Sequence, residues 1–250
     1  MKKIYLLYLV LFGLVLSSCE ILLKTANTMV QTNVPLTKND IAQGLKQALG
    51  VSVDTAVFRL NRKDAYFLDQ FIKLQLPAET NEVLEYARKI PGLDQKLDEF
   101  ILQINRSAED AAASAAPIFK QAILSMNIDD VLAILNGQDN AATQYLQEKT
   151  YNQLVELYRP ILAQSLKKPF AAGVSADQTW TEITNQWNKF ANSFAGDLLK
   201  VDPINIQLDE YFTSKALDGV FIKVADQEKE IRNNANARVT DLMKRVFEKK

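Results

Sequence analysis

Leu93-Asp94-Gln95-Lys96-Leu97-Asp98-Glu99-Phe100-Ile101-Leu102-Gln103-Ile104-Asn105-Arg106-Ser107-Ala108 decides the fold class. Leu97, Phe100, Ile101, Ile104 and Ala108 recur at steps of three and four, which places them on one stripe of an α-helix. The stripe is expected to run on to Ala116 and to stop where Pro117 interrupts the hydrogen-bond ladder. Upstream, Thr37-Lys38-Asn39-Asp40 has the form of a capping box, and Ile41, Leu45, Leu49, Val53, Ala56 and Leu60 keep one apolar face to about residue 60. A further helix reads from Glu79 to Ile90, ending at Pro91-Gly92. Downstream, helical patterns cover residues 118–126, 128–135, 141–168, 177–194, 208–232 and 237–248. Asn136-Gly137 is expected to form a left-handed C-terminal stop, and Pro160 to kink the helix that contains it.

The chain therefore reads as all-α, a bundle-like arrangement of many helices in one domain over residues 36–250. Two stretches break the helical period. Ile72-Lys73-Leu74-Gln75-Leu76 and Ile204-Asn205-Ile206-Gln207-Leu208 alternate apolar and polar residues, and are expected to be extended and to pair with each other as one short two-stranded ladder.

Composition removes whole classes of chemistry. The 250 residues are 48% hydrophobic, and 29 basic against 30 acidic side chains leave no electrostatic reason to expect nucleic acid as a partner. There is no histidine, so triads that depend on one are excluded and the commonest metal ligand and general base are missing. With one cysteine, only carboxylates and carbonyls remain as ligands, and neither a metal nor another cofactor is expected. The sequence carries no glycine-rich phosphate loop and no nucleophile elbow. What survives as catalysis is a pair of carboxylates across a cleft, for which Asp209, Asp218, Glu228 and Asp241 are available. The competing reading is ion pairing, because Asp218 follows Lys215 by three residues and Glu228 precedes Arg232 by four. Trp180, Trp187 and Phe190, with Phe194, read as core at helical spacing or as the lining of an apolar groove. Asn105-Arg106-Ser107 matches a glycosylation pattern but falls in the middle of a helix.

The amino terminus reads as an address. Lys2 and Lys3 precede an apolar run from Ile4 to Leu16, which as a helix would reach only about 20 Å of a hydrocarbon core roughly 30 Å thick. Leu16-Ser17-Ser18-Cys19 resembles the lipobox of bacterial lipoproteins, which implies a signal peptide over residues 1–18, a diacylglycerol on the Cys19 sulfur and a tether over residues 19–35. Several acyl chains hold a protein on a bilayer stably where one is marginal. The expected location is the bacterial cell envelope. Glu20 stands where an aspartate would favour inner-membrane retention, so the outer membrane is preferred.

The carboxyl-terminal third carries a second resemblance. The run Asp209 to Phe221, followed by Glu228, Ile231-Arg232, Ala237 to Leu242, Lys244, Val246 and Phe247, resembles the closing signature of a bacterial lipoprotein family, domain-of-unknown-function family 4197. Leu36 to Leu49, and Ile134 to Gly137 with Ala141 to Thr143, Tyr145, Lys149 and Thr150, resemble its opening and middle blocks. Where the family usually has Asn-Pro-Ala-Ala-Arg, this chain has Asn234-Ala235-Asn236-Ala237-Arg238, which is expected to loosen the turn before the last helix. The resemblance implies an exported helical protein and brings no activity to carry over. The function expected is a membrane-tethered, non-enzymatic module that binds an envelope protein or an apolar ligand, with Lys215, Asp218, Glu228, Arg232 and Arg238 as its interaction surface. A carrier of an apolar molecule and an envelope hydrolase with paired carboxylates are the alternatives.

Overall fold

The computed structural model describes residues 35–89, 93–169 and 173–248. The expected signal peptide, Cys19 and all but the last residue of the tether lie outside the described residues. Described residues fold into helices α1 (Lys38–Leu60), α2 (Asn81–Ala87), α3 (Leu93–Ala112), α4 (Ala115–Ser125), α5 (Ile128–Leu135), α6 (Ala141–Leu166), α7 (Ala176–Ala191), α8 (Phe194–Leu199), α9 (Leu208–Asn233) and α10 (Asp241–Phe247). The fold is all-α. Among the described helices none is long and apolar enough to cross a membrane.

The centre of the molecule is α9, with α1 packed on one side and α6 on another. Its Phe212, Ala216, Leu217, Val220 and Val224 are fully buried, a face too wide for one partner and suited to two. α1 runs antiparallel to α9, since Leu45 and Ala48 meet Ile231 and Arg232 while Ala56 and Leu60 lie beside Lys223 and Gln227. α4 fills the gap between α1 and α6, α3 packs on α6, and α7 packs on α3. Rings knit these layers: Phe100 lies 6.1 Å from both Trp180 and Phe212, and Phe119 meets Phe221 edge-on at 5.6 Å.

Local chemistry sets most boundaries. The Thr37 hydroxyl accepts from the Asp40 N–H at 3.1 Å and Asp40 accepts from the Thr37 N–H at 2.9 Å, closing the capping box that starts α1. Asn127 with Asp130 and Ser175 with Gln178 start α5 and α7 in the same way.

Four expectations are corrected. The break after α3 falls at Ala113-Ser114, not at Pro117, which instead sits in the first turn of α4. A proline ring clashes with the carbonyl four residues back, here that of Ala113, so the break comes one turn early. The helix ending at Leu135 has no left-handed stop, because Gly137 is absent from the positive-φ residues. The helix expected over 177–194 ends at Ala191, and Phe194 begins a separate helix on which it is 85% exposed, away from the buried Trp180 and Trp187. Finally, residues 73–77 and 201–207 are indeed non-helical, with Leu74 and Leu76 buried on one side and Gln75 exposed on the other, but they do not pair. Each is held by one asparagine. The Asn105 amide on α3 donates to the Leu74 C=O at 2.9 Å and accepts from the Leu74 N–H at 2.8 Å. Asn188 on α7 does the same for Ile204, at 2.9 and 2.7 Å. A side-chain amide supplies the donor and acceptor a neighbouring strand would supply, so neither stretch needs the other.

Candidate functional site

The structure divides the five residues expected to form one interaction surface. Glu228 and Arg232 are only 3% and 6% exposed, and they bond each other at 2.8 Å inside the molecule. Helical periodicity alone cannot distinguish a solvated pair from one whose helix is covered on two sides, and α9 is of the second kind. The pair closes two other helices. α6 has no side-chain cap of its own at Asn140, and Glu228 accepts from the N–H groups of Ala142 and Thr143 at 3.0 and 2.8 Å and from the Thr143 hydroxyl at 2.8 Å. Arg232 donates to the terminal carbonyls of α5, Ile134 at 2.8 Å and Leu135 at 3.4 Å, which is the task the left-handed glycine was expected to perform. Arg238 is also structural: it donates to the Ile231 and Arg232 carbonyls at 3.0 and 2.8 Å and so closes α9 itself. The turn before α10 survives without its proline because the Asn234 side chain accepts from the Asn236 N–H at 3.0 Å.

Lys215 and Asp218 remain at the surface, 3.2 Å apart. They line a groove of about 230 Å³ whose other wall is the chain from Phe71 to Gln75. Tyr211, Gly219 and Ile222 complete the α9 wall.

The segment between α1 and α2 is built to be rigid. Glu109 on α3, 3% exposed, accepts from the N–H groups of Asp64, Tyr66 and Phe67 at 3.2, 3.1 and 3.4 Å. Its charge is met by Arg106 at 2.7 Å, which also binds Asp64, a residue at φ 71°. Tyr66 is fully buried and donates its hydroxyl to the Ala216 carbonyl at 2.8 Å. It lies so close to α9 that a Cβ on Gly219 would come within 2.6 Å of its ring. Lys223 holds Asp69 at 2.7 Å. Partial burial would lift the Asp69 carboxyl, but the Lys223 ammonium and the Phe71 N–H outweigh it and keep it below its ordinary range. On this fixed backbone Leu68 is 71% and Phe71 86% exposed. Sequence reasoning missed these residues. The available signal was Asn105 and Glu109, polar side chains one turn apart on the flank of an otherwise apolar stripe.

The four candidate acids do not share a cleft. Asp209 borders one hollow with Trp180 and Ile206, Asp218 borders the groove, and Glu228 is interior. Each has its own cation: Arg159 for Asp209 at 2.7 Å, Lys215 for Asp218, Arg232 for Glu228, and Lys244 for Asp241 at 3.1 Å. The bond from Arg159 holds the Asp209 carboxyl below the usual carboxylate range. A larger cleft of about 580 Å³ lies between α1 and α9, with Arg59, Asp69, Lys223, Asp226 and Glu230 on its walls. Among the described residues no group of histidine, cysteine or acid side chains is placed to hold a metal ion.

No curated protein and no solved structure matches the chain. The profile of the family described as "Protein of unknown function (DUF4197)" matches residues 35–248, from the capping box of α1 to the end of α10. That span takes in the core, the buried ion pair and both walls of the groove, and the chain belongs to this family.

Proposed function

We propose that the protein is a lipid-anchored component of the bacterial cell envelope, preferably of the outer membrane, whose helical domain binds a protein partner without catalysing a reaction. The lipobox at Leu16–Cys19 supports the anchor. One observation carries the binding reading: buried Glu109, Tyr66 and Asn105 immobilise a loop that then holds Leu68 and Phe71 out in solvent. Fixing a loop costs backbone entropy, and exposing large apolar side chains on it forgoes burial. A preorganised apolar display is what a binding surface requires.

The two alternatives have less support. A carrier needs an enclosed apolar cavity, whereas the cleft of about 580 Å³ between α1 and α9 is open and walled by five charged side chains. A glycosidase-type mechanism needs two acids facing each other across 5–9.5 Å or so, and the four candidates are neutralised in separate places.

The test has two arms in cells. Labelled palmitate should enter the wild-type chain and not Cys19→Ser, and that variant should leave the membrane fraction. A photo-crosslinking amino acid at position 71 should trap a discrete envelope protein, while the same group at exposed Glu156 on α6 should not. Equal labelling of both chains removes the anchor, and equal trapping at both positions removes the binding surface.

A further inference from the structure

We infer that the groove between residues 71–75 and α9 takes an extended polypeptide segment, which adds to the 73–76 stretch as an antiparallel strand. The inference rests on the binding reading above and names its partner's chemistry.

The first argument is the state of the backbone. In an extended chain the N–H and C=O groups of successive residues point to opposite edges. Leu74 spends both of its groups on Asn105, so that edge is closed. Lys73 and Gln75 present theirs to the other edge. The Lys73 N–H is used by the Asp69 carbonyl at 2.8 Å, but the Lys73 C=O and both backbone groups of Gln75 have no partner among the described residues. Gln75 therefore offers one donor and one acceptor with the spacing of the closely bonded pair in an antiparallel ladder.

The second argument is what stands opposite. Lys73 and Gln75 line the same groove as Tyr211, Gly219 and Ile222 of α9, with Phe71 at one end. A strand laid along the edge would turn alternate side chains onto Ile222, 40% exposed, and Phe71. Gly219 lines this wall, and behind it the Tyr66 ring occupies the place a side chain would take.

The third argument is charge. Lys73 and Lys215 border the groove against a single acid, Asp218. Asp218 already neutralises Lys215, and Lys73 lies 4.1 Å over the Phe67 ring with no carboxylate partner among the described residues. The favoured occupant is thus an alternating apolar segment that carries a carboxylate level with Lys73.

The experiment uses the full-length protein extracted from membranes in detergent and a phage-displayed library of random linear peptides. Enriched peptides are then measured by fluorescence polarisation. We expect binders with alternating apolar positions and at least one acid, lost in Ile222→Asp. Gln75→Pro, which deletes the free N–H, should weaken them about tenfold or more, the effect of losing one or two well-placed hydrogen bonds in a sheltered site. Gln75→Ala, which keeps the backbone, should bind like wild type. As a control that does not depend on folding of a variant, N-methylation of the peptide at one set of alternate amides should abolish binding while methylation of the other set leaves it intact. Equal binding by both methylated series, equal effects of the proline and alanine variants, or selection of helix-forming peptides alone would overturn strand addition. So would crosslinking from position 71 to this chain's own residues 20–34. A discrete partner trapped at position 71 alongside any of these results leaves the binding reading standing and removes only the strand.

Discussion

Two buried polar residues carry disproportionate weight, and each predicts a different signature. Glu228→Gln leaves Arg232 without its counter-charge in the interior and weakens the cap of α6, so stability should fall by about 3–5 kcal/mol in urea denaturation. Adding Arg232→Met should recover part of that loss, because the cost lies mainly in the stranded charge. Asn105→Ala strands the N–H and C=O of Leu74 instead, and should cost about 2–4 kcal/mol, with loss of hydrogen-exchange protection confined to residues near 74. The buried tyrosines predict a pH dependence. Burial pushes the hydroxyls of Tyr66 and Tyr158 far above the ordinary tyrosine value, and they donate to the Ala216 and Ala112 carbonyls. A raised folded value stabilises the protein fully below the unfolded value of about 10, and that stabilisation drains away as pH rises beyond it. The melting temperature should therefore drop steeply above pH ~10, with phenolate absorbance from these rings appearing only on unfolding, and Tyr66→Phe should flatten the drop.

Helix identity and the capped start of α1 were legible in the sequence, while the starts of α4 and α10, at Ala115 and Asp241 where 118 and 237 were expected, and partnerships between elements were not. The stripe through Leu97, Phe100 and Ile104 and the box at Thr37 and Asp40 act within one turn, so neighbouring residues encode them. The alternation through Ile72, Leu74 and Leu76 likewise announced an extended segment. Its partner was hidden because a single side-chain amide 31 residues away, with no strand pattern of its own, replaces a whole ladder. Glu228 and Arg232 were recognisable as a pair, yet their burial depends on α1 and α6 lying on both sides of α9, a fact no local spacing holds. The groove was half visible, in Lys215 and Asp218, and its loop wall was not. That wall can be probed through Gly219. A methyl there meets the Tyr66 ring at 2.6 Å, so Gly219→Ala should cost about 1–3 kcal/mol and raise exchange across residues 64–75 while the rest of α9 stays protected.

The molecule as a whole is organised around a helix that arrives late. α1 and α6 each pack most extensively against α9, which begins at residue 208. The cleft between α1 and α9 is open and charged, so native mass spectrometry of the purified protein should give the mass of the polypeptide with no co-purified small molecule. The late arrival of α9 also orders events during synthesis. A nascent chain truncated anywhere before residue 208 has three long helices and no keystone, so the apolar faces of α1 and α6 stay open to chaperones until α9 has been made.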